Sequence, residues 1–292
     1  MFTATLIGDG LRAGDLSAAT DRLAAAGCAP GVATWLEAGE AVDIAFDRDP
    51  AAARDVLEGA LAGTDVVVQP TATRRKALIV ADMDSTMITV ECIDELADYA
   101  GIKDEVAAVT EAAMRGELDF EAALDARVAL LAGLDEDVIA RCLAERVTIM
   151  PGARALVRTM RANGAEAVLV SGGFTRFAEP VAAEIGFDRA IANVLLIADG
   201  RLTGTVAKPI VGSATKEETL LAAIAGRGIA PESSLAVGDG ANDLAMIRRA
   251  GLGVAYHAKP IVAAAAGARI DHGDLTTLLY AQGYRRGDWV TA

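Results

Sequence analysis

Apolar residues recur along the first 70 positions in short blocks whose period changes. Residues 2–7 form a β-prone apolar run. Residues 16–26 switch to helical spacing, with Leu16, Ala19, Leu23 and Ala26 on one face and Asp15 placed to cap it. Residues 31–36 and 41–46 read as two strands joined by Glu37-Ala38-Gly39-Glu40, a hairpin signal. A second helix is expected over 50–61, because proline is tolerated in a first helical turn. Residues 64–69 form a last short strand, stopped by Pro70. The predicted order, β-α-β-β-α-β over residues 1–70, is the ferredoxin-like arrangement of a small α+β domain.

The pattern changes after residues 71–76 (TATRRK), a polar and basic stretch expected as a linker. Residues 77–81 (ALIVA) are continuously apolar, which suits a strand buried on both faces of a parallel sheet. Similar runs occur at 167–170, 190–196, 234–237 and 253–255, with helical stretches such as 153–163 and 216–225 between most of them. This alternation predicts a doubly wound, Rossmann-like α/β domain over 77–292. Residues 89–146 carry only helical periodicity. They are expected as an all-helical cap inserted after the first strand of the sheet, like a lid over a site.

Charge and composition narrow the chemistry. Of 292 residues, 41 are acidic and 27 basic, a net charge of −14. An acidic surface repels nucleic-acid backbones and anionic lipid, so neither partner is expected. No apolar run approaches the ~20 residues of a bilayer span. The first residues lack the basic region and apolar core of a signal peptide, and the cytoplasm is the expected location. Cys28, Cys92 and Cys142 are far apart and form no C-x-x-C, so they are expected as buried small hydrophobes rather than a disulfide framework or zinc site. Only two histidines, His257 and His272, are present, which argues against histidine-based zinc hydrolysis and weakens any histidine triad. Carboxylates must then carry the acid–base chemistry.

Four segments carry candidate chemistry. Asp82-Met83-Asp84-Ser85-Thr86 follows the strand at 77–81, where ligand sites lie in open α/β sheets. Aspartates two apart on an extended segment point to the same side. A calcium loop does not fit, because Met87 stands where that pattern needs glycine. Ser171-Gly172-Gly173 lies between a strand and a helix, where backbone N–H groups and the positive helix end approach an anion. Leu169 in place of the first glycine rules out a nucleophile elbow. Gly238-Asp239-Gly240-Ala241-Asn242-Asp243 clusters acid and amide groups suited to a hard cation such as Mg²⁺. Lys216 opens a helix.

Taken in order, D-x-D-S-T, S-G-G, K and G-D-G-x-N-D resemble the haloacid-dehalogenase superfamily of phosphohydrolases. Residues 91–96 (ECIDEL), 114–120 (MRGELDF) and Arg127-Val128 extend the resemblance to its phosphoserine phosphatases, over about residues 76–285. The resemblance implies Asp82 as nucleophile and Asp84 as proton donor and acceptor. It implies Mg²⁺ held by Asp82, the Asp84 backbone carbonyl and Asp239, and a phosphoryl group held by Ser171, Gly172 and Lys216. Asn242 and Asp243 would orient the site from its edge, Asp243 by bonding Lys216. In the cap, Glu91 would meet the ammonium and Arg127 the carboxylate of O-phospho-L-serine, with Met114 and Phe120 as an apolar wall. Another small phosphorylated metabolite, such as homoserine phosphate, is the alternative substrate. A phospho-accepting receiver also uses an aspartate, Mg²⁺ and a lysine, but it has no such cap. Residues 1–70 resemble the ACT fold, which implies an amino-acid ligand such as serine.

Overall fold

The computed structural model describes residues 1–114 and 117–291, with the Met114 side chain outside that description. The first unit comprises β1 (Phe2–Ile7), α1 (Ala13–Ala25), β2 (Pro30–Glu37), β3 (Ala41–Phe46), α2 (Pro50–Leu57) and β4 (Asp65–Pro70). Its four strands form one antiparallel sheet in the order β2-β3-β1-β4. Along β1, Ala4 and Leu6 face a core shared with Leu23, Val42, Ile44, Phe46 and Leu57. Two helix boundaries differ from expectation. Helix α1 begins at Ala13, so Asp15 caps it from inside the first turn, its carboxylate accepting the Arg12 N–H at 2.9 Å. Helix α2 stops at Leu57, because Glu58 turns to an extended conformation.

The second unit opens with β5 (Leu78–Ala81). Four cap helices follow: α3 (Cys92–Ala100), α4 (Lys103–Met114), α5 (Phe120–Leu130) and α6 (Asp137–Arg146). Then come α7 (Ala153–Ala162), β6 (Glu166–Phe174), α8 (Thr175–Ile185), β7 (Arg189–Asn193), β8 (Leu195–Ala198) and β9 (Arg201–Val206). The chain closes with α9 (Ser213–Arg227), β10 (Ser234–Gly238), α10 (Leu244–Arg249), β11 (Leu252–Tyr256), α11 (Pro260–Ala263), β12 (Ala268–Ile270) and α12 (Thr277–Ala281). Six strands form a parallel sheet in the order β12-β11-β10-β5-β6-β7. Alternate residues feed two helical layers. Ile79, Leu169 and Val237 pack with Leu156, Met160 and Phe177, whereas Val80, Val168 and Ala236 pack with Leu220, Ile224 and Met246. Both faces of the sheet are buried, as its apolar runs predict.

The apolar run at 190–196 is not one strand. It splits at the exposed Val194 into β7, in the parallel sheet, and β8, which leaves it to pair antiparallel with β9. Main-chain hydrogen bonds tie the cap on two sides. Met87–Thr89 and Thr148–Met150 pair on its hinge side, with Met150 N–H donating to the Met87 carbonyl at 2.9 Å. Across the cap, Gly133 N–H donates to the Leu202 carbonyl of β9 and Leu202 N–H to the Leu134 carbonyl, both at 2.8 Å.

The second face of the small sheet is also covered, by the α/β unit. Thr3 and Thr5 are buried there, and Ile7 and Val67 join the larger core. The Asp65 carboxylate accepts the backbone N–H groups of Asp271 (2.8 Å), His272 (3.2 Å) and Gly273 (2.8 Å). Arg74 grips Asp43 through two nitrogens, at 2.7 and 2.9 Å. Residues 71–76 are bound along their length. Lys76 is buried, its ammonium donating to the Thr73 and Glu232 carbonyls, and burial lowers its pKa to about 8. All three cysteines are buried and free.

Asp65→Ala strands those N–H groups at the junction of the two units. It is expected to lower unfolding stability by about 3 kcal/mol, measured by urea denaturation. A loss under ~0.5 kcal/mol would show that the clamp contributes nothing.

Candidate active site

Strand register brings the motifs together. Ala81 of β5 pairs with Val237 of β10 on one side and Leu169 of β6 on the other. The residues just past those pairs are Asp82, Asp239 and Ser171. Three distant segments therefore emerge side by side at the carboxyl edge of the sheet, where the chain leaves for its connecting loops. Asp82 N–H donates to the Val237 carbonyl at 3.0 Å, which extends the ladder by one residue and fixes the backbone under the carboxylate.

Lys216, in the first turns of α9, is fully buried. Its ammonium lies 2.7 Å from Asp82 Oδ1 and 2.6 Å from Asp243 Oδ1. The other Asp243 oxygen accepts the Gly240 N–H at 3.0 Å. A Cβ on Gly238 would stand 2.4 Å from the Asp243 carboxyl, so only glycine admits this approach. Burial opposes charge on Lys216, but Asp82 and Asp243 outweigh it and hold the pKa above its ordinary value. Burial pushes the Asp82 carboxyl up, Asp243 adds to that, and Lys216 opposes it. Burial, then Asp243, raises Asp239 to about 6, against a hydrogen bond from Thr86 Oγ1 at 3.1 Å.

Oxygen atoms of Asp82, Asp239 and Asp243 lie within 4.8 Å of one another. Three carboxylates face one ammonium, so negative charge is in excess. Asp243 already spends both oxygens on Lys216 and Gly240, which leaves Asp82 and Asp239 with lone pairs to give. An all-oxygen donor set with surplus negative charge fits a hard divalent cation.

Asp84 sits between core and cap. Its Oδ1 accepts the Cys92 N–H, in the first turn of α3, at 3.1 Å, and its Oδ2 lies 3.4 Å from Ser171 Oγ. A Cβ on Gly173 would come within 2.8 Å of that Oδ2. Burial first, then the charge of Glu91, raises Asp84 to about 7. A carboxyl titrating near neutrality can give and take a proton. Ser171 is buried, its hydroxyl oxygen accepting the Gly173 N–H at 2.8 Å.

The cap closes on this floor through Phe120. Its ring would be 3.0 Å from a Cβ on Gly172 and 3.2 Å from one on Gly212. Glu91 is exposed and accepts the Ser85 hydroxyl at 2.7 Å. Arg127 donates to the Ala123 carbonyl at 3.2 Å. Burial lowers its pKa, while Asp94, Glu91 and Asp84 sustain its charge. Asn242 is half-buried beside Gly240 at the rim. The Met114 side chain, expected in the apolar wall, lies outside the described residues. Sequence reasoning assigned no part to Ser85, Thr86, Cys92 or Asn193. Ser85 and Thr86 were visible inside the first motif. Asn193 carries no local signal, because its partners lie 18 and 21 residues away.

The profile of the haloacid dehalogenase-like hydrolases matches residues 79–248, and the chain belongs to that family. Within it, the relatives it matches include phosphoserine phosphatases. It is 47% identical to one from Streptomyces coelicolor over 242 residues, covering 82% of this chain and 59% of that protein. It is 50% identical to one from Albidiferax ferrireducens over 207 residues, covering 69% of this chain and 87% of that protein. A crystal structure of a probable phosphoserine phosphatase from Vibrio cholerae superposes with a TM-score of 0.79 at 33% identity, covering 98% of this chain and 88% of that one. The chain thus spans 59% of the length of the Streptomyces relative, less than two thirds.

A divalent cation should stabilise the fold by relieving the crowded carboxylates. At a free concentration about 100 times its Kd, the gain is about 2.7 kcal/mol, read as a rise in unfolding temperature. Asp239→Asn should abolish most of that rise. An equal rise in that variant would place the cation elsewhere.

Proposed function

We propose that the protein hydrolyses O-phospho-L-serine to L-serine and phosphate through an aspartyl-phosphate on Asp82, as the last step of serine synthesis in the cytoplasm. No helix among the described residues is long and apolar enough to cross a membrane. The observation that carries the reading is the cap pair. Glu91 and Arg127 belong to separate cap segments, and their opposite charges each lie close enough to Asp84 to interact with it. An α-amino acid presents the complementary ammonium and carboxylate. Arg127 suits the carboxylate as a planar, two-nitrogen donor. Homoserine phosphate offers the same groups one carbon further away.

Asp82 attacks phosphorus while Asp84 protonates the departing serine oxygen. Asp84 then takes a proton from the water that cleaves the aspartyl-phosphate, which returns Asp82 and releases phosphate. Lys216 contacts the phosphoryl oxygens and holds Asp82. The Ser171 hydroxyl and Gly172 N–H complete the cradle, so charge that develops in the transition state meets donors already in place. Asp82, Asp239 and the Asp84 backbone carbonyl would hold Mg²⁺. When bound, that ion offsets the repulsion between an anionic nucleophile and an anionic substrate. Asn242 lines the rim beside the phosphoryl group, and Asp243 keeps Lys216 aimed.

The first experiment is phosphate release from phosphoserine, homoserine phosphate, phosphothreonine and an aryl phosphate, with and without Mg²⁺. A cation-dependent preference for phosphoserine is expected. Preference for the aryl ester would discard the cap pair as a specificity device. Asp82→Asn should remove turnover, by ~10⁴-fold or more, while the fold stays intact. Retained activity would sink the covalent route.

Two further variants separate the roles. Asp84→Asn should slow phosphoserine hydrolysis far more than the first step with an aryl phosphate, whose leaving oxygen needs no proton. Equal losses in single-turnover assays would deny Asp84 the acid role. Arg127→Ala should raise KM for phosphoserine about 10- to 100-fold and leave KM for the aryl ester nearly unchanged.

A further inference from the structure

Asn193 ends β7 at the edge of the parallel sheet and is 2% exposed. Its amide nitrogen donates to the Gly172 carbonyl at 2.8 Å and the Val211 carbonyl at 3.2 Å, and its oxygen accepts the Val211 N–H at 2.7 Å. A carboxamide offers two N–H donors and one oxygen, and here each is used. Gly172 is the middle of the phosphoryl cradle. Val211 stands two residues before α9, and the Gly212 carbonyl accepts the Lys216 N–H at 3.1 Å.

The main-chain ladder does not join these segments. Strand β6 pairs with β7 at Val170–Ile191 and next at Phe174–Asn193, and the register breaks across Ser171, Gly172 and Gly173. The cradle therefore bulges out of register within β6, and the Asn193 side chain supplies hydrogen bonds where the ladder is interrupted. It binds the cradle to the root of the helix that carries Lys216. It also fixes the two glycine segments on which Phe120 rests.

We propose that Asn193 is a positioning residue for phosphoryl transfer, setting the spacing between the Ser171–Gly173 cradle and Lys216 so that both grip one phosphoryl group. This rests on the phosphatase reading above. It concerns the phosphoryl half of the site rather than the Glu91 and Arg127 pair.

The test uses the whole chain with Mg²⁺. Asn193→Asp keeps the size and the oxygen that accepts from Val211, but sets a second acceptor against two carbonyls. kcat should fall about 10- to 100-fold for both phosphoserine and an aryl phosphate. Inhibition by orthovanadate should weaken by a similar factor, and KM for phosphoserine should move less than about threefold. Asn193→Ser, with one hydroxyl to share among the same partners, should fall between it and the wild type. Ser234→Ala serves as the structural control. That buried hydroxyl bonds Pro231 and Gly251 at the opposite end of β10. It should lose comparable thermal stability and keep kcat.

Wild-type kcat and vanadate inhibition in a folded Asn193 variant would overturn the proposal. So would failure of both variants to fold, or a parallel loss of kcat in Ser234→Ala, since each assigns Asn193 to stability alone. If the wild type cleaves the aryl ester but not phosphoserine, the substrate assignment fails. The aryl and vanadate measurements then still decide the role of Asn193.

Discussion

One buried ammonium organises the site. Lys216 lies with no exposure between Asp82 and Asp243, and each of the three would be poorly tolerated alone in that interior. The ion cluster explains much of the sequence around it. Gly238 must lack a side chain for Asp243 to approach, and Gly240 turns its N–H to the second Asp243 oxygen. Asp239 and Asp84 crowd the same edge, so the carboxylates there outnumber the one ammonium. That excess of negative charge suits a site that takes up a divalent metal ion.

The cap is electrically part of the site rather than a cover laid over it. The first turn of α3 offers the Cys92 N–H to Asp84, and burial, aided by the charge of Glu91 beside it, raises the same carboxyl toward neutrality. Glu91 is held in turn by Ser85, whose backbone adopts a left-handed φ of 54°. The proton-transfer group and the proposed amino-acid recognition group thus share a short chain of contacts. Binding of an ammonium at Glu91 would be felt at Asp84 through charge alone.

The parallel sheet was readable from sequence because its strands are buried on both faces and so are continuously apolar. The motif residues were readable because each follows such a strand, and register does the rest. Run 190–196 misled for the same reason. Apolar content cannot show that Val194 turns outward and that Leu195–Ala198 joins a separate hairpin. β12, three residues long, was too short to register as a pattern. The β-α-β-β-α-β order of the first unit was visible, but not that its second sheet face lies against the α/β unit. There the buried residues include Thr3, Thr5 and Gln69, polar types that read as exposed until their partners are known. Asn193 belongs with them, since a side chain that mends a broken ladder has no signature in local sequence.

The β8–β9 hairpin gives the lid a second attachment. Main-chain bonds between Leu202 and the Gly133–Leu134 turn weld the hairpin tip to the far side of the cap, while its base remains in the core beside Asn193. A cap fixed only at 87–89 and 148–150 would swing like a door. With the hairpin as a tether, opening must either flex that ribbon at its root or break the weld, so the travel of the lid is bounded by the reach of two short strands. The same root holds the cradle in register with Lys216, and the lever that limits the lid is therefore anchored on the floor it covers.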